Sequence, residues 1–242
     1  MGLGTSPEEK HRLLDFEGYG PDEPDVIFVG LEEYCDPDPE RQRDAIFIRC
    51  NHPAFNSKRV DKNRATRALT SDGQIPHVPV WRVMAKIMSS LAALKTENEY
   101  LALGTRPPLS SISSWLTDLR PLPRPNSNVF RGSYIDEWFG FRNRDDYKRQ
   151  VEEVAGHRLL GALRISSPPR FAFFYGKPTC DWARRHLSGE IEVPLEEAGD
   201  AIEIGQTANG TVVALTGFYS GQHQSAFRSG HTPRLMSRLR YR

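Results

Sequence analysis

The chain has 242 residues and a net charge of +1. Its 38% hydrophobic and 26% charged residues exclude a disordered chain. No apolar run approaches the roughly 18 residues of a membrane helix, which excludes a spanning function on this reading. The length suits a single α/β domain over 1–242, with a polar lead-in over 1–23 and a basic tail over 225–242. The first ten residues carry no signal-peptide core, so a cytoplasmic location is expected.

In chain order, a helical patch around Glu8 to Phe16 comes first. Val26 to Val29 is an unbroken β-branched and aromatic run between Pro24 and Gly30, and it predicts a strand buried on both faces. Residues 35–79 are long, polar and irregular. Within them the basic run Lys58 to Arg67 is either a phosphate-contacting surface or a solvated loop. Val80 to Leu94 repeats its apolar residues at helical spacing. Ser114 to Leu119 predicts a second strand, stopped by Pro121, Pro123 and Pro125, which cannot join a central ladder. The aromatic segment Phe130 to Phe141 reads as core packing rather than as a base-stacking platform. Asp145 to Leu163 predicts an amphipathic helix ended by Pro168 and Pro169. Phe171 to Tyr175 predicts a third strand, Cys180 to Leu187 a short helix, and Gly189 to Ile204 one or two short strands. Val212 to Thr216 predicts a fourth strand, and the tail from Ser225 is helix-prone. Apolar strands alternating with helices predict a three-layer α/β/α fold around a central, mainly parallel four-stranded sheet.

Open α/β sheets bind ligands at the carboxyl ends of their strands. The first strand is followed there by Gly30, Leu31, Glu32, Glu33 and Tyr34, which puts two acids and an aromatic ring where a site is expected. Two solvated loop acids and a packing tyrosine are the alternative. The three cysteines, Cys35, Cys50 and Cys180, form no CxxC pair, so no cluster is assigned and reduced thiols are expected. Cys50 and His52 lack further evident ligands, and no metal is assigned to them. From Arg228 to Arg242 the chain has five arginines, His231 and no carboxylate. That tail is either a phosphate-contacting surface or a solvated terminal helix.

The run Gly30 to Tyr34 resembles the water-activating loop of the uracil-DNA glycosylase superfamily, which commonly reads Gly, a polar residue, an acid, Pro, Tyr. Leu116-Thr117-Asp118-Leu119 is similar to that family's second site strand, where an Asn often reads the base edge. Phe171 to Gly176 resembles its third core strand, and Val212 to Ser220 its last strand and following loop. The likeness spans residues 24–223 in order. It implies monofunctional excision of a flipped DNA base, by a monomer that needs no cofactor and contacts no membrane.

On that resemblance Glu32 occupies the position of the acid that activates water or stabilises the sugar cation. Glu33 stands where Pro is usual, so either acid is a candidate. Tyr34 would wall the base pocket. Asp118 replaces the Asn. An ionised carboxylate only accepts hydrogen bonds, so it suits an exocyclic amine, as on cytosine, and repels the O4 of uracil. A structural acid before Pro121 is the alternative. Phe218-Tyr219-Ser220 stands where the family has His-Pro-Ser. Phe218 would stack on the base, Ser220 would bind a phosphate, and His223 would assist the leaving group from five residues on. Arg124 and Asn126 would line the DNA path, together with Arg228, Arg234 and Arg238 of the tail.

The expected substrate is therefore a modified cytosine foreign to the host, such as a hydroxymethylated or glucosylated phage base, in duplex or single-stranded DNA. Such an enzyme would serve antiviral defence. The alternatives are a uracil or damaged-base repair glycosylase, and a nucleotide- or nucleic-acid-binding module in which Glu32, Glu33 and Asp118 hold a metal or a polar ligand.

Overall fold

The computed structural model describes residues 14, 17–19, 23–31, 59–60, 83–84, 87–88, 91, 113–122, 139–141, 143–197 and 202–217. Eight strands form one sheet: β1 (Gly18–Tyr19), β2 (Val26–Gly30), β3 (Arg59–Val60), β4 (Ser114–Asp118), β5 (Phe171–Tyr175), β6 (Ile191–Glu197), β7 (Glu203–Thr207) and β8 (Val212–Thr216). Their order is β3-β1-β4-β2-β5-β8-β7-β6. The central four, β4-β2-β5-β8, are all parallel. They are the four strands expected from the sequence.

The expected central four strands are extended on both sides, to eight strands among the described residues. At one end β7 and β6 add antiparallel. At the other, β1 pairs antiparallel with β4 and parallel with β3. β2, β5 and β8 are apolar runs because both of their faces are covered, and β4 is buried with Ser114 and Thr117 among its apolar residues. The added strands lie outside the central four, where one-sided or two-residue pairing leaves no such run. The outermost strand β6 exposes Glu192 and Pro194, and proline there withholds a donor from any further strand.

The two faces of β2 belong to different cores. Val26 and Phe28 pack with Leu116, Phe173 and Ala214 against helical residues Val83, Met84, Ile87, Met88 and Leu91. Ile27 and Val29 pack with Trp115, Phe174 and Val213 against two helices. These are α1 (Arg144–Arg164) and α2 (Lys177–His186). Connection handedness accounts for the division. The path from β2 to β4 crosses the sheet one way, and the paths from β4 to β5 and from β5 to β8 cross it the other way. Right-handed crossovers then put the first helix on one face and the next two on the other. Full burial of Phe28, Phe173 or Trp115 contributes about 1.5–3 kcal/mol each.

Helix α1 follows its expected span to within a residue. Tyr147, Val151, Ala155, Leu159 and Leu163 recur every fourth position and are all buried. The Asn143 side chain accepts from the Asp145 and Asp146 amides and caps its start. Phe141 is buried and meets Tyr147 edge-on at 5.1 Å, so this end of the aromatic segment is core packing, as read from the sequence. Helix α2 starts at Lys177, three residues earlier than expected. Gly176 turns the chain at φ 89°, and Pro178 is tolerated in the first turn, where an amide has no helical partner. No helix among the described residues is long and apolar enough to cross a membrane.

Cys180 on α2 is buried, its thiol 3.4 Å from the Phe174 carbonyl and 3.3 Å from that of Thr216. Burial pushes the thiol up to about 11 from an ordinary 9.0. The folded state therefore keeps its full stability below pH 9.0 and loses it as the pH rises through about 11, because only the unfolded chain ionises freely. A protein carrying Cys35→Ser and Cys50→Ser is expected to resist aromatic disulfide labelling at pH 8 until denatured. Labelling of the native protein within seconds would overturn this.

Candidate functional site

Neighbouring strands of a parallel sheet leave a crevice where their connections depart in opposite directions. β2 leads to β4 on one side and β5 leads to β8 on the other, so the crevice falls between the carboxyl ends of β2 and β5. The residues there are Gly30, its register partner Asp118 at the end of β4, and Tyr175 at the end of β5.

Side chains alternate along a strand, so these three extend the rows Val26–Phe28, Ser114–Leu116 and Phe171–Phe173. They thus stand on the face covered by Val83, Met84, Ile87, Met88 and Leu91, and Tyr175 packs on that core. A Cβ placed on Gly30 would fall inside the radii of both Asp118 Oδ1 and Tyr175 Oη, with Tyr175 Cζ at 2.8 Å. The carboxylate and the phenol therefore fold over the bare Cα from either side and converge on one point. A carboxylate only accepts hydrogen bonds, whereas a phenol donates and accepts, so a polar ring edge presented there meets both kinds of group.

The frame around this point is tightly bonded. At the strand entrances, Asp25 N donates to Ser113 Oγ (2.8 Å) and Ser113 N donates to Asp25 Oδ2 (2.8 Å). At the exits, Leu119 N donates to Gly30 O and Arg120 N to Leu31 O, each at 2.9 Å. β2 and β4 therefore stay zipped past their ends, up to the residue before Glu32. From the opposite face, Arg158 of α1 donates through Nη2 to Thr117 Oγ1 (3.0 Å) and Asp118 O (3.1 Å). Arg120 is buried and donates to Glu152 Oε1 of α1 through Nε (2.9 Å) and Nη2 (2.8 Å).

Of the residues selected from the sequence, Gly30 and Asp118 are brought together. Glu32, Glu33, Tyr34, Arg124, Asn126, Phe218, Ser220, His223, Arg228, Arg234 and Arg238 lie outside the described residues. Sequence reasoning missed Tyr175 and Arg158. Tyr175 ends an otherwise apolar strand and precedes a glycine, the same signal that drew attention to Gly30. Arg158 gave no signal, because an arginine between buried positions of an amphipathic helix looks like a solvated one. Among the described residues, no three of His, Cys, Asp and Glu group so as to hold a metal ion. Comparison with family models, with curated proteins and with solved structures returned no match to this chain.

Proposed function

We propose that this chain is a monofunctional DNA glycosylase with a uracil-DNA glycosylase-like fold, acting on a modified cytosine. The observation that carries the reading is the convergence of Asp118 and Tyr175 over Gly30 at the sheet's crevice. Glu32 and Glu33 follow two and three residues later in the chain. The parallel arrangement of four strands in the order β4-β2-β5-β8 supports it as well.

The target nucleotide is flipped out of the stack so that its ring edge reaches Asp118. The carboxylate accepts from the exocyclic amine, and Tyr175 sits beside it as a second polar contact. Glu32 stabilises the cationic sugar and takes a proton from the attacking water. The bond from C1′ to the ring nitrogen breaks with its electron pair leaving on the base, water oxygen bonds to C1′, and an abasic site results. Tyr34 and Phe218 flank the base, His223 supplies a proton or hydrogen bond to it as it leaves, and Ser220 holds a phosphate. The arginines of the tail neutralise the DNA backbone.

The test is abasic-site formation in EDTA on DNA containing uracil, cytosine, hydroxymethylcytosine or glucosylated hydroxymethylcytosine. Product is expected chiefly on a modified cytosine, with uracil excised far more slowly, and the Glu32→Gln variant is slower by about 100- to 10,000-fold. Product on uracil alone overturns the substrate assignment. No product on any of them, or product only with added divalent metal, overturns the glycosylase assignment.

A further inference from the structure

Helix α1 buries an apolar row against the sheet, yet half-buried Arg158 lies next to buried Leu159 and three residues from buried Ala155. A guanidinium withdrawn from water costs stability unless it is bonded, and this one is committed to the sheet. Two of its contacts run through Nη2 to the last two residues of β4: the Thr117 hydroxyl at 3.0 Å and the Asp118 carbonyl at 3.1 Å. Its Cζ lies 5.8 Å from the ring centroid of Trp115, two residues back on the same strand. Trp115 is itself fully buried and donates Nε1–H to Glu17 O at 2.6 Å. The side chain of Arg158 thus spans three residues of one strand, ending at the backbone of Asp118.

Parity puts Thr117 and Asp118 on opposite faces. Arg158 comes from the face of α1, and Asp118 presents its carboxylate on the other. The arginine therefore reaches the backbone that carries the carboxylate rather than the ligand's side of it. We propose that Arg158 is a positioning residue for base choice: it fixes the end of β4 from behind and so sets the aim of the Asp118 carboxylate. This rests on the base-excision reading and names a determinant of its specificity. An arginine suits the task because its planar head lies over the indole while one nitrogen directs its two N–H groups at two acceptors. Lysine keeps the charge and the donors but lacks the plane.

The experiment compares the full-length parent with Arg158→Gln, Arg158→Lys, Asp118→Asn and the Arg158→Gln/Asp118→Asn double variant. Excision is read on DNA bearing the preferred amino-bearing base and on DNA bearing uracil, and each melting temperature is taken. Arg158→Gln is expected to slow excision of the preferred base by about 100-fold, the cost of misplacing a contact by an ångström. Its rate on uracil falls less, so the ratio between the two bases narrows. Arg158→Lys recovers part of that ratio. In the double variant the arginine change adds nothing to the loss already caused by Asp118→Asn.

Equal slowing on both bases, or losses that multiply in the double variant, would make Arg158 a merely structural residue and overturn the inference while base excision stands. A parent that excises no base overturns both. A lowered melting temperature does not mimic the expected result, because partial unfolding slows both bases alike.

Discussion

A Gly30→Ala variant excises base more than about 100-fold slower than its parent and melts about 5 °C lower. The added methyl must occupy the point where Asp118 Oδ1 and Tyr175 Oη converge. Neither strand end yields cheaply. Gly30 O accepts from Leu119 N, Leu31 O accepts from Arg120 N, and Asp118 O accepts from Arg158. The strain therefore turns the two side chains away from the crevice, and overpacking of this kind typically costs about 1–3 kcal/mol. A control of similar stability cost separates a damaged site from a weakened fold. Val213→Ala removes two buried methyl groups from the middle of β8, on the opposite face of the sheet. It is expected to lower the melting temperature comparably and to keep the excision rate of the folded protein. Full activity in Gly30→Ala would mean that the crevice lies elsewhere.

Asp118→Asn reverses base choice. The change is isosteric, and the bond from Arg158 goes to the main-chain carbonyl, which the variant keeps. The melting temperature should stay within about 2 °C. What changes is the donor pattern. An amide turned to offer its N–H₂ to an exocyclic amine sets donor against donor, and turned the other way it accepts more weakly than a carboxylate. Excision of the amino-bearing base falls about 100-fold, while uracil, whose O4 accepts, becomes the better substrate. A competition assay with both bases in one duplex reads the ratio directly. An unchanged ratio would remove Asp118 from base recognition.

Three of the central strands were legible because burial on both faces demands unbroken apolar runs, and VIFV, FAFFY and VVALT are such runs, while the fourth was marked by Trp115, Leu116 and Leu119 before the proline stop. Their order was not legible. Nothing in the chain says that residues 114–118 lie on one side of 26–30 and 171–175 on the other, because that depends on crossover direction and packing. The edge strands were faint for a related reason. Glu203–Thr207 has buried and half-buried positions, and Gly18–Tyr19 is two residues long. In the site, Asp118 was visible through the resemblance, since it stands where the similar family has a base-reading Asn. Tyr175 was hidden by its own apolar body, which reads as one more residue of the run. Arg158 was hidden because its partners are a hydroxyl and a carbonyl on a strand about 40 residues away, and no periodicity encodes such a bond.

The position of β2 between β4 and β5 also governs when this protein can fold. Val26–Gly30 leaves the ribosome before both of its flanking partners, which end at residues 118 and 175. At about 5–20 residues per second, roughly 7 to 30 seconds separate its synthesis from that of its second partner. During that interval an apolar five-residue strand has an open edge on at least one side. Nascent chains stalled before residue 171 should therefore hold this segment accessible to chaperones, and release past residue 216 should end that exposure in one cooperative step.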